Sequence, residues 1–484
     1  MSAHGLTDDF LQRAQHALGQ DFLRQAVRKT TDRLRDGRAQ AVREAGDFEA
    51  WRDALSAARR RAIARLDAVL RVFVERASAH GVQVHFAADA AEACAIVVEL
   101  ARAKGARLAA KGKSMLSEEI ELNQALEAAC VEALETDLGE WIIQLAGERP
   151  SHIILPVVHK PRAEIRELFE QHGGVTLSDE TKVLAGYARD RLRAEFLRAD
   201  LGITGCNMAI AETGAVALFS NEGNGRMVST LPKTHIALMG MERIVETRAD
   251  FVDLMRLLPR SATGQRITTY VNVLHGPKRT HELDGPEELH VVVVDAGRSQ
   301  QLADRDYREA LACIRCGACL NACPVYSTVG GHAYGTVYPG PIGAVIEPLY
   351  ARDDERRAEL ANASTLCGAC HEACPVRIPL HDMLVSLRQA NARQGRGDRS
   401  ELALQRVAAR AMAVPFVYAG GGAVARWFGR FVAGDGAWPR FVLHHTPVLQ
   451  AMARQRVLPQ PPIRAFRDQW VDLAREDMRG SDGR

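Results

Sequence analysis

Two cysteine runs about forty residues apart must meet in space if they do what their spacing suggests. The first is Cys313-Ile-Arg-Cys316-Gly-Ala-Cys319-Leu-Asn-Ala-Cys323-Pro324, a C-x2-C-x2-C-x3-C-P pattern. The second, Cys367-Gly-Ala-Cys370-His-Glu-Ala-Cys374-Pro375, repeats it without its first cysteine, and together they hold seven of the chain's ten cysteines. In two-cluster ferredoxins three closely spaced thiolates wrap one iron–sulfur cubane, and the cysteine before proline reaches across to the other cluster. Zinc is the competing reading, because paired C-x2-C elements also build tetrahedral sites. A zinc site has no use for a third cysteine three residues on, nor for the proline after the fourth. The pattern therefore points to two iron–sulfur clusters, and with them to electron transfer.

The exchange rule assigns the ligands. Cys313, Cys316 and Cys319, closed by Cys374, hold one cluster; Cys367 and Cys370, closed by Cys323, hold the other. The second set is one thiolate short, and Ser364 stands where the missing cysteine would be. That centre is either a three-iron cluster or a four-iron cluster with one iron held by Ser364, His371 or water; the sequence leaves the choice open. Gly317 follows the second cysteine of the first run and Gly368 follows Cys367, its counterpart in the second, where the backbone either folds tightly to turn its N–H groups toward sulfur or simply forms a loop. Pro324 and Pro375 end each loop and redirect the chain. Between the runs lies a segment rich in glycine and aromatics, residues 329–343, followed by a helix-like stretch ending near Thr365. It is expected to cover the clusters, with His332, Tyr334 and Tyr338 either on an electron path or packed against the cluster loops.

The rest of the chain is long enough for about three domains, with buried cores. A net charge of +2 and a pI near 8.1 give no pointer to nucleic acid. The N-terminus lacks the basic and apolar regions of a secretory signal, and free thiolates suit a reducing cytosol, so a cytoplasmic location is expected. The uncharged stretch from Ala411 to Ala425 is too short to span a bilayer, and no transmembrane helix is expected.

Apolar periodicity predicts helices over 10–18 and 57–74, within an N-terminal helical segment at 1–60 and its continuation. Residues 61–300 alternate strand-like and helix-like runs, which predicts an α/β domain with a mainly parallel sheet covered on both faces. Strands are expected at 82–86, 107–110, 152–158, 215–219, 235–239, 270–274 and 290–294, the later ones buried. Helices are expected at 90–103, 117–133 and 161–172. Residues 301–395 form the two-cluster module, and residues 396–484 a helical, arginine-rich region.

Two candidate sites lie in the α/β part. The run Thr204 to Arg226 is polar and glycine-rich after an apolar strand, so Glu212, Asn221, Glu222, Asn224 and Arg226 either line a pocket for an anionic or polyhydroxy ligand or serve as turn residues. Lys111-Gly-Lys-Ser114 resembles a phosphate loop, but Arg107 sits where its first glycine belongs, so the motif fails. An anion at the helix N-terminus there remains open. Cys94 and Cys130 read as core residues of helices, and Cys206 as either reactive or buried and inert. No G-x-G-x-x-G follows a strand, so no flavin or nicotinamide fingerprint is present. In the C-terminal region Arg406, Arg410, Arg426, Arg430, Arg440, Arg454, Arg456, Arg464 and Arg467 interleave with Phe416, Tyr418, Trp427, Phe428, Phe431 and Trp438. This is either a solvated basic face or a docking surface for a partner subunit or the inner membrane surface.

The same residues carry a family resemblance. Gly202-Ile-Thr-Gly-Cys-Asn-Met-Ala-Ile-Ala-Glu-Thr-Gly214, Asn221-Glu-Gly-Asn-Gly-Arg226, the run from Cys313 to Pro324, Gly330-Gly-His-Ala-Tyr-Gly335 and Leu366-Cys-Gly-Ala-Cys370 resemble, in order, the lactate utilisation protein B family. The resemblance implies an electron-transfer subunit in the oxidation of L-lactate to pyruvate, acting with two partner proteins. It also implies that residues 60–300 form a lactate-utilisation domain related to sugar-phosphate isomerase and CoA-transferase folds. It further implies two four-iron clusters on Cys313, Cys316, Cys319, Cys323, Cys367, Cys370 and Cys374, the absent eighth cysteine being a trait of the family.

Overall fold

The computed structural model describes residues 9–352, 354–396, 399–433, 464–466, 469, 470 and 472. Its contacts divide the chain into two compact units, 1–394 and 395–484. Ten strands occur in the first: Gln83–Ala87 (β1), Leu108–Lys111 (β2), Glu132–Glu135 (β3), Leu201–Gly205 (β4), Met208–Ile210 (β5), Ala215–Ser220 (β6), Thr234–Gly240 (β7), Ile244–Val245 (β8), Tyr270–Leu274 (β9) and Glu288–Val294 (β10). Six of them form a wholly parallel sheet in the order β1-β10-β7-β4-β2-β3.

The central strands show why. β10 reads Glu-Leu-His-Val-Val-Val-Val and is buried along almost its whole length, the apolar run expected of a strand covered on both faces. Its alternate residues serve different layers. Val292 and Val294 pack with Leu201, Ile203, Ile236 and Leu238 under helix Ala90–Ala103. Val291 and Val293 pack with Ala237 and Met239 under helix Leu66–Ala79. Asp89 starts the first of these helices by accepting a hydrogen bond from the Glu92 backbone N–H at 2.9 Å.

Several expectations need correction. Residues 152–158 form no strand: Ser151 N–H donates to the Pro156 carbonyl at 3.0 Å, and the His152 ring accepts from the Ile154 and Leu155 amides, closing the segment into a loop. The helix expected over 117–133 is two short helices, Met115–Glu119 and Leu122–Ala128, separated near Glu121 at φ 55°, and its end is strand β3. The run over 57–74 breaks at Arg65 into helices Phe48–Ala64 and Leu66–Ala79. β9 is a partly exposed edge strand rather than a buried one. It belongs to a second sheet, ordered β8-β5-β6-β9, that the periodicity did not announce.

Residues 301–395 hold short α and 3-10 helices and no strand among the described residues. Their core is not theirs alone. Leu23, Val27, Phe48 and Leu55 of the N-terminal helices are buried in one cluster with Cys316, Cys319, Leu320, Tyr326 and Leu384. The second unit contains helices Arg399–Ala413 and Pro415–Ala433, which expose Leu404, Val407, Phe416 and Trp427. Among the described residues no single helix is long and apolar enough to cross a membrane, although Ala403–Ala413 with Pro415–Trp427, bent by 104°, passes that test as a pair.

Candidate iron–sulfur centres and the adjoining cavity

Each cysteine run folds the same way. A 3-10 helix, Arg308–Ala312 or Glu359–Asn362, leads into the loop. Two left-handed residues follow in register: Arg315 at φ 58° and Gly317 at 74° in the first run, Leu366 at 56° and Gly368 at 81° in the second. A five-residue helix comes next, Ala318–Ala322 or Ala369–Ala373, ending at the cysteine before proline. Gly317 and Gly368 therefore do take the conformation that glycine alone adopts freely. The non-glycine residues two positions before them take it at a steric cost.

The seven thiols gather in two sets. Cys313, Cys316, Cys319 and Cys374 line one small apolar cavity with Ile314, Ile342, Val376 and Ile378. Beyond burial, their charges bear on one another: Cys374 and Cys313 raise the Cys316 pKa, and Cys313, Cys316 and Cys374, with Cys370 of the other set, raise that of Cys319. Cys367 and Cys323 do the same to Cys370. Burial is the larger cause, pushing Cys316 up to about 12, Cys370 and Cys374 to about 11 and Cys319 well above its ordinary value. Cys367 is exposed, and the Thr365 hydroxyl, with the Ala369 amide, lowers its pKa. Among the described residues no three His, Cys, Asp or Glu side chains are placed to hold a single metal ion.

Soft thiolate sets with backbone amides aimed at sulfur are what a cluster requires, and these residues fit one. The Arg315 N–H donates to Cys313 Sγ at 3.4 Å, the Tyr326 N–H to Cys323 Sγ at 3.5 Å and the Ile378 N–H to Cys374 Sγ at 3.4 Å. Because the buried thiols sit high on the pH scale, their protons must leave as iron binds.

Arginines hold the first loop against the α/β domain. Arg59, fully buried, donates to the carbonyls of Ala312 at 3.2 Å, Leu311 at 2.9 Å and Glu242 at 2.6 Å, and also to that of Ile244. Arg243 donates to the Cys313 carbonyl at 2.6 Å, and Arg52 to the Cys374 carbonyl at 2.7 Å. The Arg315 guanidinium lies 4.4 Å over the Tyr338 ring, whose hydroxyl donates to Glu119 at 2.6 Å. Tyr334 is buried beside Cys323, and His332 lies at the surface, bonded to the Arg149 carbonyl.

Next to this loop a cavity of about 290 Å³ opens at the carboxyl ends of β2, β4 and β7, the place where open α/β sheets receive ligands. Asn221, Glu222 and Asn224 line it, with Lys113, Asn207, Arg243 and, on the cluster side, Arg315 and Cys316. Glu212 is elsewhere, paired at the surface with Arg248 at 3.0 Å, and Arg226 does not line the cavity. Lys111 is buried and bound to Glu135 at 2.6 Å, and the helix after Ser114 is only five residues long, so the Lys111–Ser114 segment makes no phosphate loop. Cys206 lines the cavity but is buried, with its pKa pushed up to about 12. Cys94 is half-buried, donating to the Ile120 carbonyl, whereas Cys130 is exposed at a turn rather than in a core. The sequence reading missed Arg243 and Arg315 as cavity residues, whereas Lys113 and Asn207 lay inside its two candidate segments without being singled out. Arg315 was already in view, inside the first cysteine run.

Fold and site together define an iron–sulfur protein with a parallel α/β domain. Residues 70–294 match the LUD domain and residues 309–378 the 4Fe-4S dicluster domain, so the protein carries two iron–sulfur clusters of the four-iron type. The chain is 43% identical to lactate utilization protein B of Shouchella clausii over 95% of its length and 96% of that protein's. It is 47% identical to that of Bacillus subtilis, over 82% of each chain, and 48% identical to that of Macrococcus caseolyticus, over 79% of this chain and 80% of that protein. It belongs to the lactate utilization protein B family. A solved DUF162 family protein from Deinococcus radiodurans, 19% identical, aligns over 47% of this chain and 98% of its own at a TM-score of 0.27, which carries no argument.

Proposed function

We propose that this chain is an iron–sulfur electron-transfer subunit in the oxidation of L-lactate to pyruvate. One cluster is held by Cys313, Cys316, Cys319 and Cys374, the other by Cys323, Cys367 and Cys370. The observation that supports it most is the gathering of seven thiols into two adjacent sets inside a module packed against the α/β domain; the names of the relatives supply lactate. Lactate gives up two electrons and two protons to become pyruvate, whereas each cluster passes one electron at a time. The sequence carries no flavin or nicotinamide fingerprint, so the two-electron step falls to a partner subunit. In this reading the protein works in the cytoplasm with other lactate-utilisation proteins. The exposed aromatic and arginine residues of helices Arg399–Ala413 and Pro415–Ala433 dock a partner or rest peripherally on the inner membrane surface.

A second reading has its own observation. Arg315, whose Nη1 makes no hydrogen bond, lines the sheet-end cavity beside Cys316, so a small hydroxy-acid anion bound there would sit next to the first cluster. Anaerobic reduction of the clusters by lactate, with each subunit omitted in turn, separates the two. The conduit reading expects no reduction of this chain alone and full reduction with its partners; lactate oxidation by this chain alone overturns it.

A further inference from the structure

The second cluster site is one thiolate short, and the internal repeat of the two loops shows what stands in its place. Cys313 closes a 3-10 helix, lies two residues before left-handed Arg315, and accepts the Arg315 N–H on its Sγ at 3.4 Å. Ser364 comes just after the corresponding 3-10 helix, lies two residues before left-handed Leu366, and accepts the Leu366 N–H on its Oγ at 3.1 Å. Counted from the left-handed residue, the register and the amide that orients the ligand atom are the same, although the 3-10 helix ends one residue earlier before Ser364 than before Cys313; at the ligand position sulfur has become oxygen. The Ser364 backbone carbonyl is also fixed, by Arg388 Nη2 at 2.8 Å.

The same repeat argues against His371. Its counterpart in the first run is Leu320, which is fully buried in the core. His371 itself uses Nδ1 on the Ile378 carbonyl at 3.0 Å and packs its ring on His381 at 5.3 Å.

From this repeat we propose that Ser364 Oγ is the fourth protein ligand of the second cluster, completing a Cys3Ser site on Cys323, Cys367 and Cys370. The Fe–O bond forms as the Ser364 hydroxyl gives its proton to solvent, and no electron changes hands. A hard alkoxide on one iron makes that iron distinct from its three thiolate-held neighbours. The proposal rests on the crossed cysteine assignment above, which is checked separately by whether Cys323→Ala spares the cluster that Cys313→Ala removes.

The test uses the full chain purified anaerobically, with iron counting, Mössbauer and electron paramagnetic resonance spectra, and the reduced protein in 17O-enriched water. Wild type should hold about eight irons per chain, one of them spectroscopically distinct, with no 17O coupling to the second cluster. Ser364→Ala should lose that iron or gain 17O coupling while the first cluster's spectrum is unchanged. Ser364→Cys should keep about eight irons with the distinct iron's signature gone, which guards against Ser364→Ala simply failing to load. A Ser364→Ala protein spectroscopically identical to wild type, or 17O coupling already present in wild type, overturns the proposal.

Discussion

The two cysteine loops share one backbone and differ in nearly everything around it. The first lies under the α/β domain, with Arg52, Arg59 and Arg243 donating to its carbonyls or to those of its closing cysteine, and with the sheet-end cavity touching Cys316. The second holds exposed Cys367 and looks toward solvent on that side. Local sequence thus sets how a cluster is gripped, whereas its surroundings set what it can exchange electrons with. In the proposed assignment the first cluster faces the α/β cavity and the second faces the protein's exterior, a polarity suited to passing electrons outward.

The largest expected effect breaks the pairing itself. Cys319→Ala should remove the first cluster and about half of the iron, and Cys374→Ala should remove the same cluster despite belonging to the other run. Resonance spectra showing Cys374→Ala and Cys313→Ala damaging different clusters would sink the crossed arrangement. Next, Arg59→Met should take the Arg59 donor from the Leu311, Ala312 and Ile244 carbonyls, at about 1–3 kcal/mol for each one orphaned. A thermal melt should register that loss, and an unchanged melting temperature would show that Arg59 does not anchor the first loop.

A smaller effect sharpens the electrostatic contrast. Arg52→Gln should lower the first cluster's reduction potential by something on the order of tens of millivolts, since a nearby cation favours the added electron, and leave the second unmoved. Redox titration followed by resonance spectroscopy reads both; equal shifts would mean the two sites do not have separate environments. Smallest is a difference of rate. Under an iron chelator the second cluster should bleach before the first, because Cys367 is exposed. Simultaneous loss would erase the distinction. Deletion of residues after about 400 should preserve both clusters while weakening partner or vesicle binding at low salt; loss of the clusters would refute a docking role for that segment.

How much of this was legible in the sequence varied with the kind of signal. The central strands announced themselves because both faces are buried, so Thr234–Gly240 and Glu288–Val294 read as continuous apolar runs. Residues 152–158 look just as apolar, yet the His152 ring captures the Ile154 and Leu155 amides, a contest between side chain and ladder that composition does not reveal. The left-handed residue near Glu121 likewise left no mark in the periodicity. The cluster spacing was legible because metal chemistry fixes it. The cavity was only half legible: Asn221, Glu222 and Asn224 came from a glycine-rich run, but Arg243 and Arg315 reach it from elements that only the fold brings together. Of the arginines singled out near the C-terminus, Arg440, Arg454, Arg456 and Arg467 lie outside the described residues, as does Trp438.

The hydrogen bonds from Arg52 to the Cys374 carbonyl span 322 positions of sequence. On a ribosome adding roughly 5–20 residues per second, the helix bearing Arg52 emerges about 15–65 s before the loop it clasps. Early in that interval Leu23, Val27, Phe48 and Leu55 can pack only against the α/β residues of their cluster, such as Met208, Phe251 and Leu257. The last loop to be synthesised thus closes a core that the first helices and the α/β domain began, and a chain truncated before residue 374 leaves Arg52 without the carbonyl it clasps.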